Sequence, residues 1–322
     1  MSETSSASTK LLHGGLRYLE HGAFRLVREA LAERAWWLRQ APHLCHPIEL
    51  LLPVRSGIGR ARWKVKAGLW LYEQLAGANK IRPHRWLSRD AALASMPDLC
   101  SDGLTGAFAF WDGQMDDLEL GRWAANRALE AGAKIVEGCA VESVSTDGRI
   151  RTASGDSKYD LVFNVTGPWA SKLLEQSGVP SRYHLDLVRG SHILTRRPCA
   201  QGVLAEIAGE RRIGFVLPWK GGTLVGTTEV RQSSPDRAQC SMAEQEYIRA
   251  FHDSVLATPL REEEVAGTLS GVRPLIRSAK DPTRATREYA IERIGNLISV
   301  FGGKWTTARA LGERVAGAFD RA

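Results

Sequence analysis

The residue pattern predicts a mixed α/β (α+β) protein of two lobes, and three observations carry that prediction. A chain of 322 residues exceeds what one hydrophobic core ordinarily organises. Over residues 116–165 a helical pattern is followed by short strands, a tight turn and an apolar strand, the order of an α/β lobe. Over residues 181–273 the pattern changes to closely spaced strands, the mark of a mainly antiparallel sheet.

Taken in order, residues 24–40 place apolar side chains at helical spacing with charges between them, and Pro42 ends the run. Residues 60–75 read as a basic helix with an aromatic face, Arg60, Arg62, Lys64 and Lys66 alternating with Trp63, Trp70, Leu71 and Tyr72. A helix over 116–131 carries Asp116 and Asp117 in its first turn and Gly132 past its end. Short strands are expected at Lys134–Val136, Ala140–Val144 and Arg149–Thr152, and a buried one at Tyr159–Val165, bounded by Gly167-Pro168. The second lobe offers strands at Ser191–Thr195, Ile213–Pro218 and Thr223–Thr228 and a helix at Met242–Thr258. A hairpin of Tyr289–Ile294 with Leu297–Phe301 and a helix over Trp305–Phe319 close the chain. The predicted organisation gives 1–40, 116–180 and 285–322 to the α/β lobe, 41–115 to a basic helical insertion, and 181–284 to the antiparallel lobe.

Composition narrows the function classes. With 43 basic against 36 acidic side chains the formal net charge is +7, which favours anionic partners: phosphorylated metabolites, anionic lipid or nucleic acid. No nucleic-acid-binding module accompanies that charge, so nucleic acid is not expected. The five cysteines are odd in number and never spaced C-x-x-C, which fits free thiols in a reducing compartment. The start, Met1-Ser2-Glu3-Thr4, is polar and reads as no secretory signal, and no apolar run reaches ~18 residues. The expected location is the cytoplasm or its membrane surface.

Several motifs are turns rather than sites. Gly57-Ile58-Gly59-Arg60 lacks the third glycine of a dinucleotide fingerprint, and Gly221 to Gly226 is followed by Thr227-Thr228 where a P-loop needs Lys-Ser/Thr. His43-Leu44-Cys45-His46 has no second cluster at zinc spacing, so no metal is expected. Asn164-Val165-Thr166-Gly167-Pro168-Trp169 is more informative, because a strand ending at Thr-Gly before a helix brings backbone amides to the edge where ligands bind. His13-Gly14-Gly15-Leu16-Arg17-Tyr18 sets an imidazole, a guanidinium and a phenol beside flexible backbone, and Arg17 can grip a phosphate through paired hydrogen bonds. Ser270-Gly271-Val272-Arg273-Pro274 offers a second guanidinium in an expected turn. Lys304 stands at a helix start after Gly302-Gly303, where a cation opposes the helix dipole unless an anion shares the site.

The runs Ser5–Tyr18, Asn164–Trp169, Gly190-Ser191-His192, Gly226-Thr227-Thr228, Ser270–Pro274 and Phe301–Thr307 resemble, in this order, the FAD-dependent, quinone-linked glycerol-3-phosphate dehydrogenases. These belong to the D-amino-acid-oxidase-like flavoproteins. The resemblance implies a Rossmann-like FAD-binding lobe and an antiparallel substrate lobe meeting at the flavin. It implies hydride transfer from C2 of sn-glycerol 3-phosphate to FAD, giving dihydroxyacetone phosphate, with electrons passed to quinone. It implies a phosphate clamp of Arg17, Tyr18 and Arg273, with Thr227 also at the substrate. His13 and Lys304 fall close to the reacting carbon, His13 being preferred to His192 as the base, while Lys304 suits stabilisation of the developing alkoxide. Ser5, Ser6, Thr9, Lys10, Thr166, Gly167, Gly302, Gly303 and Thr306 resemble cofactor contacts, and Val141 the backbone contact to adenine. The basic aromatic stretch 60–75 suits peripheral attachment to an anionic bilayer.

Against the family pattern, Met1 falls just after the first strand–glycine loop–helix–strand unit, and the family's C-terminal helical extension is missing after Ala322. A truncated chain, weakened on the nucleotide side, is therefore the expectation, with a cofactor-free fragment that binds anionic surfaces as one alternative. An amine or amino-acid oxidase of the same superfamily is the other. The oligomeric state is not legible.

Overall fold

The computed structural model describes residues 3–57, 59–210, 212–236, 238–277 and 289–317. It is a mixed α/β fold, and the chain divides into two compact units. The first comprises residues 1–120, 190–229 and 239–271, and the second 121–189, 230–238 and 272–322.

The first unit is built on one curled sheet whose longest strands are Cys45–Arg55 and Leu104–Met115, antiparallel from Cys45 opposite Met115 to Arg55 opposite Leu104. Leu11–Leu12 and Arg85–Ser88 pair with Leu104–Met115. On the other side, Gly202–Glu206 runs parallel to Cys45–Arg55, and Ile213–Trp219, Gly222–Gly226 and the later half of Leu185–Thr195 follow antiparallel.

Strand alternation sorts the apolar residues into two cores. Leu51, Ala107, Ala109, Val216 and Val225 face one way, onto Ile248, Phe251 and Val255 of the Met242–Val255 helix. Their neighbours Leu50, Phe108, Phe110, Leu217 and Leu224 face the other, onto Val65 and Leu69 of the Arg62–Ala76 helix. That helix buries Val65, Leu69, Tyr72 and Ala76, a single stripe at helical spacing, and on Tyr72 and Ala76 rest Val27 and Leu31 of the Phe24–Gln40 helix. Ser241 starts the Met242–Val255 helix with a capping box, its hydroxyl accepting from the Glu244 amide while the Glu244 carboxylate accepts from the Ser241 amide.

In the second unit Val162–Asn164 runs parallel to Leu297–Gly302, which is antiparallel to Tyr289–Ile294. Val141–Val144, Arg149–Thr152 and Gly155–Lys158 form a separate meander. Val144, Leu173, Leu174, Leu297 and Phe301 make the core with Ala170 and Val179.

The fold corrects several expectations. Residues 41–115 are not a helical insertion, since the helices Arg62–Ala76 and Arg89–Ser95 lie between the two longest strands of the sheet. Residues 1–40 group with that sheet rather than with 116–180, through Leu11–Leu12 and the Phe24–Gln40 helix. Lys134–Val136 is irregular, with Ile135 and Val136 exposed, and pairs with no strand among the described residues. The expected buried strand over 159–165 shortens to Val162–Asn164, and Tyr159, Phe163 and Val165 are exposed. Ser270–Pro274 is extended chain within the strand Val265–Ile276, not a turn. Ile58, residues 285–288 of the predicted α/β lobe and the end of the closing helix beyond 317 lie outside the described residues.

Candidate functional site

In the first unit the predicted residues cluster on the segment that precedes the Phe24–Gln40 helix. Leu12 pairs with Gly113, and the chain then turns through Gly14 and Gly15 into a 3₁₀ segment, Leu16–His21. Both glycines are required by geometry. A Cβ on Gly14 would lie 2.7 Å from Leu31 and from the Tyr72 ring, and Gly15 has φ +80° with the Tyr18 ring folded back over it. His13 and Tyr18 are half-buried and Arg17 is exposed, so the loop presents an imidazole, a phenol and a guanidinium.

His192 has a different setting. Its ring lies over Gly226, where a Cβ would come within 2.4 Å, and it is 1% exposed with Nε2 3.1 Å from the Thr9 hydroxyl. Next to it, Ser191 and Thr228 donate their hydroxyls to the buried Glu244 carboxylate at 2.8 Å each, and the Ser191 hydroxyl is also 2.8 Å from that of Ser270. Thr227 is buried beside them.

Lys10, expected at the cofactor, has its ammonium engaged inside the unit. Nζ lies 2.5 Å from Asp117 Oδ1 and donates to the Ser6 carbonyl at 2.8 Å, with Lys10 4% and Asp117 0% exposed. The other Asp117 oxygen accepts from the Ser8 amide and hydroxyl at 3.0 and 2.7 Å. Three donors therefore converge on one carboxylate, and Lys10 ties down the Thr4–Ser6 turn, with exposed Ser5 and half-buried Ser6 at its surface.

Sequence reading missed a buried group beneath the His13 loop. Arg34 Nη1 donates to Asp112 Oδ1 at 2.7 Å, the Tyr72 hydroxyl lies 3.0 and 2.9 Å from the two Asp112 oxygens, and the Gly14 amide donates to the Tyr72 oxygen at 2.7 Å. Burial, reinforced by the Asp112 charge, holds the Tyr72 phenol well above its ordinary pKa, so it stays protonated. The available signal was Asp112, the one charged residue of its strand, together with Arg34 among the buried positions of a helix.

In the second unit two adjacent parallel strands end in glycine turns that open helical segments. After Val162–Asn164 comes Gly167, with φ +58° and no atom within 4 Å of a Cβ, leading into Pro168-Trp169 and the helix Ala170–Gln176. Leu297–Gly302 ends on Gly302 and is followed by Gly303, at φ +75° and +90°, and Lys304 caps Trp305–Thr307 ahead of the helix Ala308–Gly317. Asn164 fixes the first turn, accepting from the Thr166 hydroxyl at 2.7 Å and donating to the Ala170 carbonyl at 3.1 Å. Thr306 is buried, while Lys304 and Arg273 are half-buried.

Val141 and Thr166, far apart in sequence, line one cavity of about 360 Å³ with Trp169, Lys172, Leu173 and Gln176. Asp236 braces its wall, accepting from Lys172 at 2.7 Å and Trp169 Nε1 at 2.8 Å. Those hydrogen bonds, with Lys172 the largest influence, hold the Asp236 carboxyl below the usual range. Such a cavity, beside backbone amides at the carboxyl ends of parallel strands, can take a nucleotide base and an adjoining phosphate. Among the described residues no cluster of His, Cys, Asp and Glu is arranged to hold a metal ion, and no helix is long and apolar enough to cross a membrane.

Comparison with known proteins gives a consistent picture. The family model described as FAD dependent oxidoreductase matches residues 1–318. A glycerol-3-phosphate dehydrogenase of Synechocystis is 35% identical, covering 98% of this chain and 63% of its own length. A D-erythritol 1-phosphate dehydrogenase of Brucella abortus is also 35% identical, covering 97% of this chain and 65% of its own. The crystal structure of the glycerol-3-phosphate dehydrogenase from Bacillus halodurans, complexed with FAD, superposes with a TM-score of 0.77 at 25% identity. That match covers 98% of this chain and 57% of the other. The chain thus spans less than two thirds of the length of these relatives.

Proposed function

The chain belongs to the FAD dependent oxidoreductase family, and on that premise we propose that it takes part in oxidising sn-glycerol 3-phosphate to dihydroxyacetone phosphate with FAD as cofactor. The observation that carries this reading is the near-complete match of the chain to a glycerol-3-phosphate dehydrogenase at 35% identity. The donor set fits FAD: the cavity lined by Val141 and Thr166 has room for the adenine, and the turns at Gly167 and Gly302-Gly303, with Thr306, offer amides and a hydroxyl to its phosphates and ribityl chain. When bound, FAD supplies the hydride acceptor.

The chain's own residues bind the substrate and move its proton. Arg17, exposed on its loop, grips the phosphate as a planar two-donor group, and Tyr18 adds a hydroxyl. In the second unit Lys304, at a helix N-terminus, offers a cation to an anionic group bound there. His13 takes the C2 hydroxyl proton as the general base, a role an imidazole suits. It suits that role better than His192, whose ring is buried over Gly226.

In this reading electrons leave to a quinone, the chain serves glycerol metabolism, and the Arg62–Ala76 helix rests peripherally on the anionic cytoplasmic membrane. Trp63 and Trp70, seven residues apart and 68% and 57% exposed, supply the interfacial aromatics, and Arg62, Lys64 and Lys66 the positive charge. Binding to vesicles containing phosphatidylglycerol is expected to fall as salt rises; binding that ignores salt contradicts this attachment.

The likeness to the erythritol 1-phosphate enzyme supports a second substrate, a longer polyol phosphate. Reduction of a quinone analogue by the FAD-supplemented chain tests both. A higher kcat/KM for glycerol 3-phosphate supports the first reading, a higher value for erythritol 1-phosphate the second, and turnover of neither contradicts both.

A further inference from the structure

The Arg34, Asp112 and Tyr72 side chains are 2%, 4% and 3% exposed, and the described contacts of the Tyr72 hydroxyl lead to one backbone group, the Gly14 amide. A phenol has one hydrogen to give. With an acceptor-only carboxylate on one side, Tyr72 donates to Asp112 and its oxygen is left to accept from Gly14. Asp112 is held in turn by Arg34, whose second terminal nitrogen donates to the Asn79 carbonyl at 3.1 Å. Desolvating a guanidinium and a carboxylate is costly, and apolar side chains of similar volume would serve the packing at least as well. What apolar side chains cannot do is bind a peptide N–H.

That N–H lies in the loop between His13 and Arg17. Gly14 is pressed onto the Tyr72 ring and Leu31 so closely that no Cβ fits, and the next residue, Gly15, turns at φ +80° to bring Tyr18 back over the loop. The direction in which His13 and Arg17 leave the backbone therefore depends on where Gly14 is held. We propose that Tyr72, seated by Asp112 and Arg34, is a positioning residue that fixes the Gly14 backbone and so aims His13 and Arg17; the functional part rests on reading those two residues as substrate contacts. Tyr72 touches neither substrate nor cofactor in this account, and its effect passes entirely through the loop.

The test is Tyr72→Phe in the full chain, which keeps the ring and removes the acceptor. Hydrogen exchange at the Gly14 amide is expected to quicken about tenfold and the Kd for sn-glycerol 3-phosphate to rise about tenfold, as loss of one hydrogen bond implies. Unchanged Gly14 exchange overturns the proposal. Faster exchange with unchanged affinity also overturns it, leaving Tyr72 a packing residue. If the wild-type chain binds no glycerol 3-phosphate, the substrate reading fails and the aiming of His13 and Arg17 falls with it, while exchange still decides whether Tyr72 holds Gly14. If the variant does not fold, Asp112→Asn is measured in the same two ways, and a wild-type Gly14 amide that exchanges as fast as an exposed loop overturns the proposal.

Discussion

Single residues in this chain show how far chemistry can be inferred from residue type. The glycine pair of the His13–Tyr18 run was legible as a tight turn, and the structure gives each glycine a steric reason, Gly14 against Leu31 and Tyr72 and Gly15 at φ +80°. Residue type alone does not show that the Lys10 ammonium is paired inside the unit with Asp117, more than a hundred positions away. That pair makes a prediction. Asp117→Ala leaves the Lys10 ammonium buried without its carboxylate, and breaking such a pair costs about 3–5 kcal/mol. A lowered thermal midpoint is expected, and an unchanged one shows that Lys10 finds solvent or another partner.

At the scale of elements, periodicity served well wherever one face is buried and poorly elsewhere. The Phe24–Gln40, Arg62–Ala76 and Met242–Val255 helices lie close to where their apolar spacing put them. The long strands Cys45–Arg55 and Leu104–Met115 were missed, because strands covered on both faces lose the alternation that marks a half-buried strand. Here alternate residues feed two different cores, so Leu50 and Leu51 are both apolar. The Arg62–Ala76 helix divides its roles by face, and mutation separates them. Leu69→Ala, in the core, is expected to cost about 2–5 kcal/mol. Trp70→Ala, on the exposed face, should change stability by no more than about 0.5 kcal/mol while weakening attachment to vesicles. Denaturant unfolding of the two variants checks the contrast, and equal losses contradict the division of faces.

For the whole molecule, the two-lobe fold class followed from chain length and from the change in strand spacing, but the partition between units did not. Units are decided by which distant segments pair, as when Leu11–Leu12 joins the edge of Leu104–Met115, and local sequence does not carry that information. Legibility of the site divides in the same way. The turns at Gly167 and Gly302-Gly303 are marked by their glycines, whereas the joint lining of one cavity by Val141 and Thr166 is set by tertiary packing. The central claim is that these parts serve oxidation of a polyol phosphate by bound flavin. It is tested most directly by supplying the purified chain with FAD, removing free cofactor and adding sn-glycerol 3-phosphate without oxygen. The account predicts that FAD is retained and that its visible absorption band bleaches; retained flavin whose spectrum does not change on adding the substrate would contradict it.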